Sequence, residues 1–181
     1  MRKDSRGFSL IELLIVVAII LIIAAIAIPD LLKSRQAANQ ASAVGSLRTI
    51  NTAEVTYSST YTLGFSATLA NLGPPAAPPD SSAGANLIDS ILAGGAKSNY
   101  VFSYMVNNAA PATALTCTPG AGNGALGTAA TPPATNASYS SGADPSLCVA
   151  GNGNYYYSDQ SGVIRQNSTA IATSADSPLA G

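Results

Sequence analysis

Glu12 is the residue whose type and position most clearly indicate a chemical role. From Phe8 to Ile28 the chain runs for 21 residues, and Glu12 is the only charged one among them. A carboxylate in hydrocarbon costs about 2.5–3.5 kcal/mol on membrane-insertion scales, so a segment that only anchored the chain would carry leucine there. A cationic group beside the carboxylate reduces this burial penalty, so we expect Glu12 to form an ion pair when the segment is buried.

The remaining sequence carries no recognisable catalytic or cofactor motif. It has no histidine, no Cys-x-x-Cys pair, no phosphate-binding glycine loop and no Gly-x-Ser-x-Gly. The acids are few and mostly far apart, whereas hard cations need several clustered oxygen ligands. We therefore expect a protein that is not an enzyme and that binds no cofactor.

Composition points to a surface unlike that of a cytosolic protein. The 181 residues suffice for one domain plus one membrane span, and only 9% of them are charged. A net charge of −1 lacks the basic footprint of a nucleic-acid-binding protein. A surface with so few charged residues suits a domain that faces the outside or packs against copies of itself. Charged residues after Tyr61 are Asp80, Asp89, Lys97, Asp144, Asp159, Arg165 and Asp176.

The apolar run predicts a helix that spans a membrane. At about 1.5 Å per residue it is roughly 31 Å long, close to the thickness of a bilayer core. Residues 1–7 are basic, which favours a cytoplasmic N-terminus. The run also fits a plain anchor, or a secretory signal peptide cleaved after the small-x-small sequence Ala25-Ile26-Ala27.

A third interpretation comes from the residues at the start of the run, Gly7-Phe8-Ser9-Leu10-Ile11-Glu12-Leu13-Leu14. After a short basic leader, this sequence resembles type IV prepilins and the related pseudopilins of type II secretion. The resemblance implies that a prepilin peptidase and N-methyltransferase cleaves between Gly7 and Phe8 and methylates the Phe8 amine. Glu12 matches the family's acid five residues into the mature chain, and Pro29 matches its helix-breaking proline.

The resemblance also implies partners and a location. The precursor would wait in the bacterial inner membrane, with its N-terminus cytoplasmic, for the pilus assembly machinery. It would then join copies of itself in an extracellular type IV pilus, with no nucleic acid required. In the filament, Glu12 would pair with the Phe8 amine of a neighbouring copy. The alternatives are a type II secretion pseudopilin in a periplasmic pseudopilus and a monomeric, membrane-anchored or secreted binding domain.

Helical signals continue beyond the span. Pro29 marks either a helix boundary or, as we prefer, a kink, because good helix formers resume directly after it. We expect one helix from about residue 8 to 57, with a filament-core half (8–29) and an amphipathic half (30–60). The apolar stripe of the second half consists of Leu31, Ala38, Ala41, Val44, Leu47 and Val55.

Residues 61–181 should form a head of sheet and loops. We expect a short helix over residues 86–92, a strand over 99–106, a long loop over 107–146 and a short strand over 147–150. Residues 155–158 and 163–165 should pair about a four-residue turn. The result is an α+β, type IV pilin-like fold, in which three or four antiparallel strands pack on the second half of the helix.

The two cysteines, Cys117 and Cys148, should form a disulfide, because an exported domain lies in an oxidising compartment. This disulfide resembles the C-terminal disulfide loop of many type IV pilins. Related pseudopilins can hold calcium near the C-terminal hairpin. There the only acids are Asp159 and, less favourably placed, Asp144 and Asp176.

The mature N-terminus distinguishes the three interpretations. We expect mass spectrometry of the purified protein to find methylated Phe8 as the first residue, because the processing motif lies directly before it. Ile28 as the first residue would support a secreted protein, and Met1 would support a plain anchor.

Overall fold

A computed structural model of the protein describes residues 9–106, 137–145, 153–168, 172 and 174–179. The chain divides into two compact units, Met1–Ala37 and Ala38–Gly181. In chain order the elements are α1 (Leu10–Tyr61), α2 (Leu69–Leu72), α3 (Ser90–Ala93), β1 (Ala96–Lys97), β2 (Tyr100–Val106), β3 (Tyr139–Pro145), β4 (Tyr155–Asp159) and β5 (Arg165–Asn167).

The long helix expected from the sequence is confirmed, and α1 runs without interruption through Pro29. A boundary at Pro29 is therefore wrong: proline removes one backbone hydrogen bond and clashes with the preceding turn, but the turns on either side remain helical. The kink at Pro29 stays a prediction. The helix ends at Tyr61 because Thr62 adopts a left-handed conformation, with φ of 55°.

The strands form one antiparallel sheet in the order β1-β2-β3-β4-β5. Five strands are described where we expected three or four, because β1 and β3 lie where the sequence predicted no strand. The sequence of β3, Tyr-Ser-Ser-Gly-Ala-Asp-Pro, lacks the hydrophobic alternation that marks a strand. Pairing with β2 over seven residues, and with β4 on the other side, holds it in the sheet.

The C-terminal hairpin is confirmed with a shifted second strand. Gly162 N–H donates to the carbonyl of Asp159 at 2.9 Å and closes the expected turn. The strand begins at Arg165, which pairs with Tyr157, so residues 163 and 164 belong to the connection. Ile164 is instead held from outside the hairpin, since its carbonyl accepts from Leu179 N–H at 2.7 Å. The strand expected over 147–150 lies outside the described residues.

Two short helices lie in the stretch between α1 and the sheet. The helix expected over 86–92 begins only at Ser90, where the Asp89 carboxylate caps it by accepting from Leu92 N–H at 2.9 Å. The earlier residues are not helical because the N–H groups of Leu87 and Ile88 donate to the Leu72 carbonyl at the end of α2. The helix α2 itself, Leu69–Leu72, is not among the elements predicted from the sequence.

The core of the second unit lies between the amphipathic half of α1 and the sheet. The helix contributes Ala43, Leu47, Ile50, Ala53 and Tyr57 at spacings of three and four residues. The expected stripe is therefore only partly right. Val44 and Leu47 are buried, but Ala38, Ala41 and Val55 are exposed, and so is Leu31 in the first unit. The packing face follows Leu47, Ile50 and Tyr57, and Val55 lies off it with 64% of its surface exposed.

We expect Ile50→Ala to destabilise the second unit by about 2–5 kcal/mol, because it leaves a cavity in a fully buried site. Val55→Ala on the same helix is the matched control and should change stability by no more than about 0.5 kcal/mol. Denaturant unfolding followed by tyrosine circular dichroism measures both, since the chain has eight tyrosines and no tryptophan. Equal effects of the two substitutions would contradict the described packing face.

Candidate functional site

Glu12 lies in the first turn of α1 and completes a local hydrogen-bond arrangement there. Its Oε2 accepts from the backbone N–H of Ser9 at 2.9 Å, across the sequence Ser9-Leu10-Ile11-Glu12. This is the glutamate half of a capping box, in which the third helical residue reaches back to the residue before the helix. A carboxylate also interacts favourably with the positive end of the helix dipole. Within one chain, Glu12 therefore stabilises the start of the helix.

The apolar residues that follow Glu12 are exposed all round the helix. No residue of the most apolar stretch is buried within the described structure, and α1 is long and apolar enough to cross a membrane. In water this surface would be very unfavourable, so the segment needs lipid or other protein surfaces around it. The large exposed side chains before Pro29 are Leu10, Ile11, Leu13, Leu14, Ile15, Val16, Val17, Ile19, Ile20, Leu21, Ile22, Ile23, Ile26 and Ile28.

Several residues singled out from the sequence lie outside the described residues. These are the processing pair, Gly7 and Phe8, and the two cysteines, Cys117 and Cys148. Cleavage, methylation and the disulfide therefore stay predictions. Glu12 and Pro29 are both placed, 17 residues apart on the apolar part of α1.

Two of the acids considered for calcium, Asp159 and Asp176, accept hydrogen bonds within the described structure. Asp159 Oδ1 accepts from the backbone N–H of Ser161 at 2.9 Å and stabilises the hairpin turn. Asp176 Oδ1 accepts from Asn167 Nδ2 at 2.9 Å. In the described ranges there is no group of three or more Asp, Glu, Cys or His side chains that could hold a metal ion. Within these ranges Asp159 is therefore not part of such a group.

Sequence reasoning missed Glu54, the second glutamate on α1. Its side chain is fully buried, with 0% of its surface exposed. Oε2 accepts from Ser66 N–H at 2.9 Å, while Ser66 Oγ and Tyr104 OH both lie 2.5 Å from Oε1. The carboxyl thus joins α1 to the loop before α2 and to β2. One feature of the sequence could have indicated its burial: Glu54 lies beside Ala53 and one helical turn before Tyr57, and both of these pack in the core.

Two opposing effects act on the Glu54 carboxyl. Burial raises its pKa, because the charged form loses its hydration, and this is the larger effect. The hydrogen bonds from Ser66 and Tyr104 lower the pKa in part. The same site raises the pKa of the Tyr104 hydroxyl, first through burial and then through the neighbouring Glu54 charge.

Asp144, in β3, is the second buried acid of the head. Only 3% of its surface is exposed, and its Oδ1 has no hydrogen-bond partner within the part of the chain that the structure describes. Burial raises its pKa to about 7. Nothing in the sequence around Asp144 marked it as buried, because we expected the segment to be loop.

The outer face of the amphipathic half of α1 carries hydroxyl groups that are already satisfied. The hydroxyls of Thr49, Thr52 and Thr56 donate to the backbone carbonyls four residues earlier, at 3.0–3.1 Å. With Arg48, Ala53 and Leu87 these threonines line a shallow groove. Since the hydroxyls are occupied, the groove offers Arg48 as its one charged group and no set of converging polar groups for a small molecule.

Comparison with known protein families gives a match that lies within the first unit. Residues 2–28 match the family described as the prokaryotic N-terminal methylation motif. This chain carries that motif. The motif includes Gly7, Phe8 and Glu12, and the resemblance to type IV pilins inferred from these residues is confirmed.

Two curated relatives are both described as pilins. The chain is 60% identical over 37 residues to the type IV wide pilus major component PilA4 of Thermus thermophilus. It is 49% identical over 53 residues to the type IV major pilin protein PilA of Myxococcus xanthus. These matches cover 20% and 29% of this chain, and 28% and 24% of the relatives. The chain thus spans about a quarter of the length of the curated relatives that it matches. No solved structure matches it.

The buried Asp144 predicts that the stability of the head depends on pH. Because its folded pKa is raised to about 7 from 3.8, its contribution is fully present below pH 3.8 and is lost as the pH rises to about 7. We expect Asp144→Asn, which stays neutral, to remove a fall of at most about 4 kcal/mol over this range. Unfolding free energies of the chain in detergent micelles at several pH values measure this.

The exposed Asp80 provides the matched control for Asp144. Asp80→Asn should leave the fall in stability unchanged, because Asp80 is exposed and contributes nothing to the core. If Asp144→Asn and Asp80→Asn give the same pH profile as the parent chain, the buried carboxyl is not the cause.

Proposed function

We propose that this protein is a structural subunit, a pilin, that polymerises into an extracellular type IV pilus through its N-terminal helix. The observation that carries the proposal is the first half of α1, an exposed apolar helix with a single carboxyl group in its first turn. It lies in the segment that matches the methylation motif, and the chain is similar over 37 and 53 residues to two type IV pilins.

Maturation creates the partner that the Glu12 carboxyl needs. Cleavage between Gly7 and Phe8 by the prepilin peptidase leaves a positively charged amine at the new N-terminus. When apolar helices pack together, water is excluded, and an isolated Glu12 carboxylate becomes costly. The Phe8 amine of a neighbouring copy compensates this charge and fixes the axial register between the two helices.

The exposed apolar surface explains the two locations of the protein. Before assembly, lipid of the bacterial inner membrane covers the helix, which satisfies its own backbone hydrogen bonds. After extraction by the assembly machinery, the helices of other copies replace the lipid, and the head faces outwards. The scarcity of charge on the head suits a surface that packs beside copies of itself. This is a structural role, with the chain acting as the peptidase's substrate and not as an enzyme.

Two substitutions of Glu12 separate its charge from its capping role. Glutamine can take the place of glutamate in a capping box, whereas leucine cannot, and neither carries a charge. We expect Glu12→Gln and Glu12→Leu to insert in the membrane normally and to form no filaments by electron microscopy. Ile11→Leu, at the adjacent position, is the control and should assemble like the parent chain.

Filaments of normal length and number from Glu12→Gln would refute the charge-pairing role. Fibres seen at the cell surface with the parent chain support a pilin. A filament found only in the periplasm would favour the pseudopilin alternative.

A further inference from the structure

We propose that Glu54, Ser66 and Tyr104 form a proton-binding site, in which the Glu54 carboxyl keeps its proton in the folded head and releases it only at higher pH. The occupied site holds α1, the loop before α2 and β2 together, and loss of the proton weakens that connection. This proposal is independent of filament formation, because every group in the site belongs to the second unit of one chain.

The first observation is that the carboxyl is buried without a compensating charge. Glu54 has no exposed surface, and within the described residues the one ion pair joins Asp89 to Lys97 at 2.7 Å. A carboxylate that is removed from water without a cation beside it is costly even when it accepts hydrogen bonds. Keeping the proton removes that cost.

The second observation is that the hydrogen-bond partners suit both protonation states. For the ionised group, Ser66 Oγ and Tyr104 OH donate to Oε1, each at 2.5 Å. For the protonated group, Oε1 donates to the Tyr104 oxygen, so both hydroxyls need other acceptors. These are present: Tyr104 OH lies 3.1 Å from the Ser66 carbonyl, and Ser66 Oγ lies 3.1 Å from the Thr68 carbonyl.

In both states the Ser66 N–H remains bonded to Oε2 at 2.9 Å. The proton can therefore be bound or released through rotation of two hydroxyl groups, without movement of the heavy atoms. A site built for a permanent carboxylate would not need the two carbonyl acceptors beside its hydroxyl donors.

Among the residues that the structure describes, the titratable groups that interact with Glu54 are all tyrosines. Tyr57 lies on the same helix, Tyr104 on β2 and Tyr139 on β3, where its ring stacks against that of Tyr104 at 6.0 Å. Burial raises the pKa of each of these hydroxyls, and the Glu54 charge adds to the effect. All three therefore stay neutral across the range in which a carboxyl titrates, and none supplies a positive charge.

The direction of the pH dependence follows from burial. A carboxyl whose pKa is raised on folding binds its proton more tightly in the folded chain than in the unfolded chain. Its contribution to stability is fully present below the ordinary carboxyl value of 4.5 and is lost as the pH rises through the folded value. Acid should thus strengthen the connection between helix and sheet, and base should weaken it.

Isotope labelling tests the protonation state directly, because Glu12 and Glu54 are the only glutamates in the sequence. The full chain in detergent micelles, labelled with ¹³C at the glutamate side-chain carboxyl, gives two resonances, and Glu54→Gln assigns them. We expect the Glu54 signal to change from the carboxylic-acid position to the carboxylate position at a pH above the ordinary carboxyl value of 4.5. A Glu54 signal that titrates at or below that value would overturn the proposal.

Substitution tests the stabilising role, with Asp144→Asn as the common background so that the other buried acid does not titrate. Glutamine mimics the protonated carboxyl in shape and charge. We expect Glu54→Gln to match its parent in Tm at pH 4 and to exceed it at pH 8 by a few degrees, roughly the 2–4 °C that a stability change of about 1 kcal/mol produces in a chain of this size. A loss of Tm at both pH values would mean that the carboxylate itself is required.

A matched variant keeps the acid and removes one of its two hydroxyl partners. Tyr104→Phe leaves Ser66 as the only hydroxyl beside Oε1. We expect it to raise the pH at which the Glu54 resonance titrates, because the ionised carboxylate loses a hydrogen-bond donor while the site stays buried. Should the resonance titrate at an unchanged or lower pH, the role given to the Tyr104 hydroxyl is wrong.

Discussion

The cost of removing a carboxyl group from water governs both halves of α1. The helix carries two glutamates, one in an exposed apolar segment and one fully buried in the head. Glu12 lies at the exposed apolar end, where its only described partner is the Ser9 N–H within the same chain. Glu54 is enclosed by the head and is satisfied there by Ser66 and Tyr104. The Glu12 carboxyl thus has a single described partner on the backbone of its own helix turn, and the Glu54 carboxyl has three hydrogen bonds inside the head.

In the core of the head, hydroxyl groups rather than ion pairs provide the polar contacts that the structure describes. Tyrosines supply large apolar rings, and each buried hydroxyl needs a partner at the edge of the core. Tyr57 OH donates to the Ser82 carbonyl at 2.7 Å, Tyr100 OH to the Asn154 carbonyl at 3.0 Å, and Tyr139 OH to Asn51 Oδ1 at 2.9 Å. These bonds connect the helix, the loops and the sheet, so a domain with few ion pairs still acquires specific contacts.

Small residues in β3 allow the aromatic side chains of its neighbours to pack closely. Gly142 lies opposite Ser103, and a Cβ at that position would approach Ser103 Oγ to 2.5 Å. Ser141 and Ala143 pair with Ser158 and Tyr156 of β4, and both are buried. A strand of small residues in the middle of the sheet therefore has a packing role, although it has little intrinsic preference for extended structure.

The sequence by itself determined the features that depend on neighbours along the chain. An unbroken apolar run forces a helix, its single acid at Glu12 identifies the methylation motif, and the alternation in β2 marks a strand. The hairpin turn at residues 159–162 also follows from local residues. These features need no knowledge of what lies across the core.

Only the tertiary structure decided the features that depend on distant partners. β3 is a strand because β2 and β4 pair with it, and Val55 is exposed because the packing face follows Ile50 and Tyr57 instead. Glu54 lies among ordinary helix residues in the sequence, and its burial arises from contacts with Ser66 and Tyr104, 12 and 50 residues away. Burial and hydrogen bonding are properties of the folded surroundings, so the residue type alone could not reveal them.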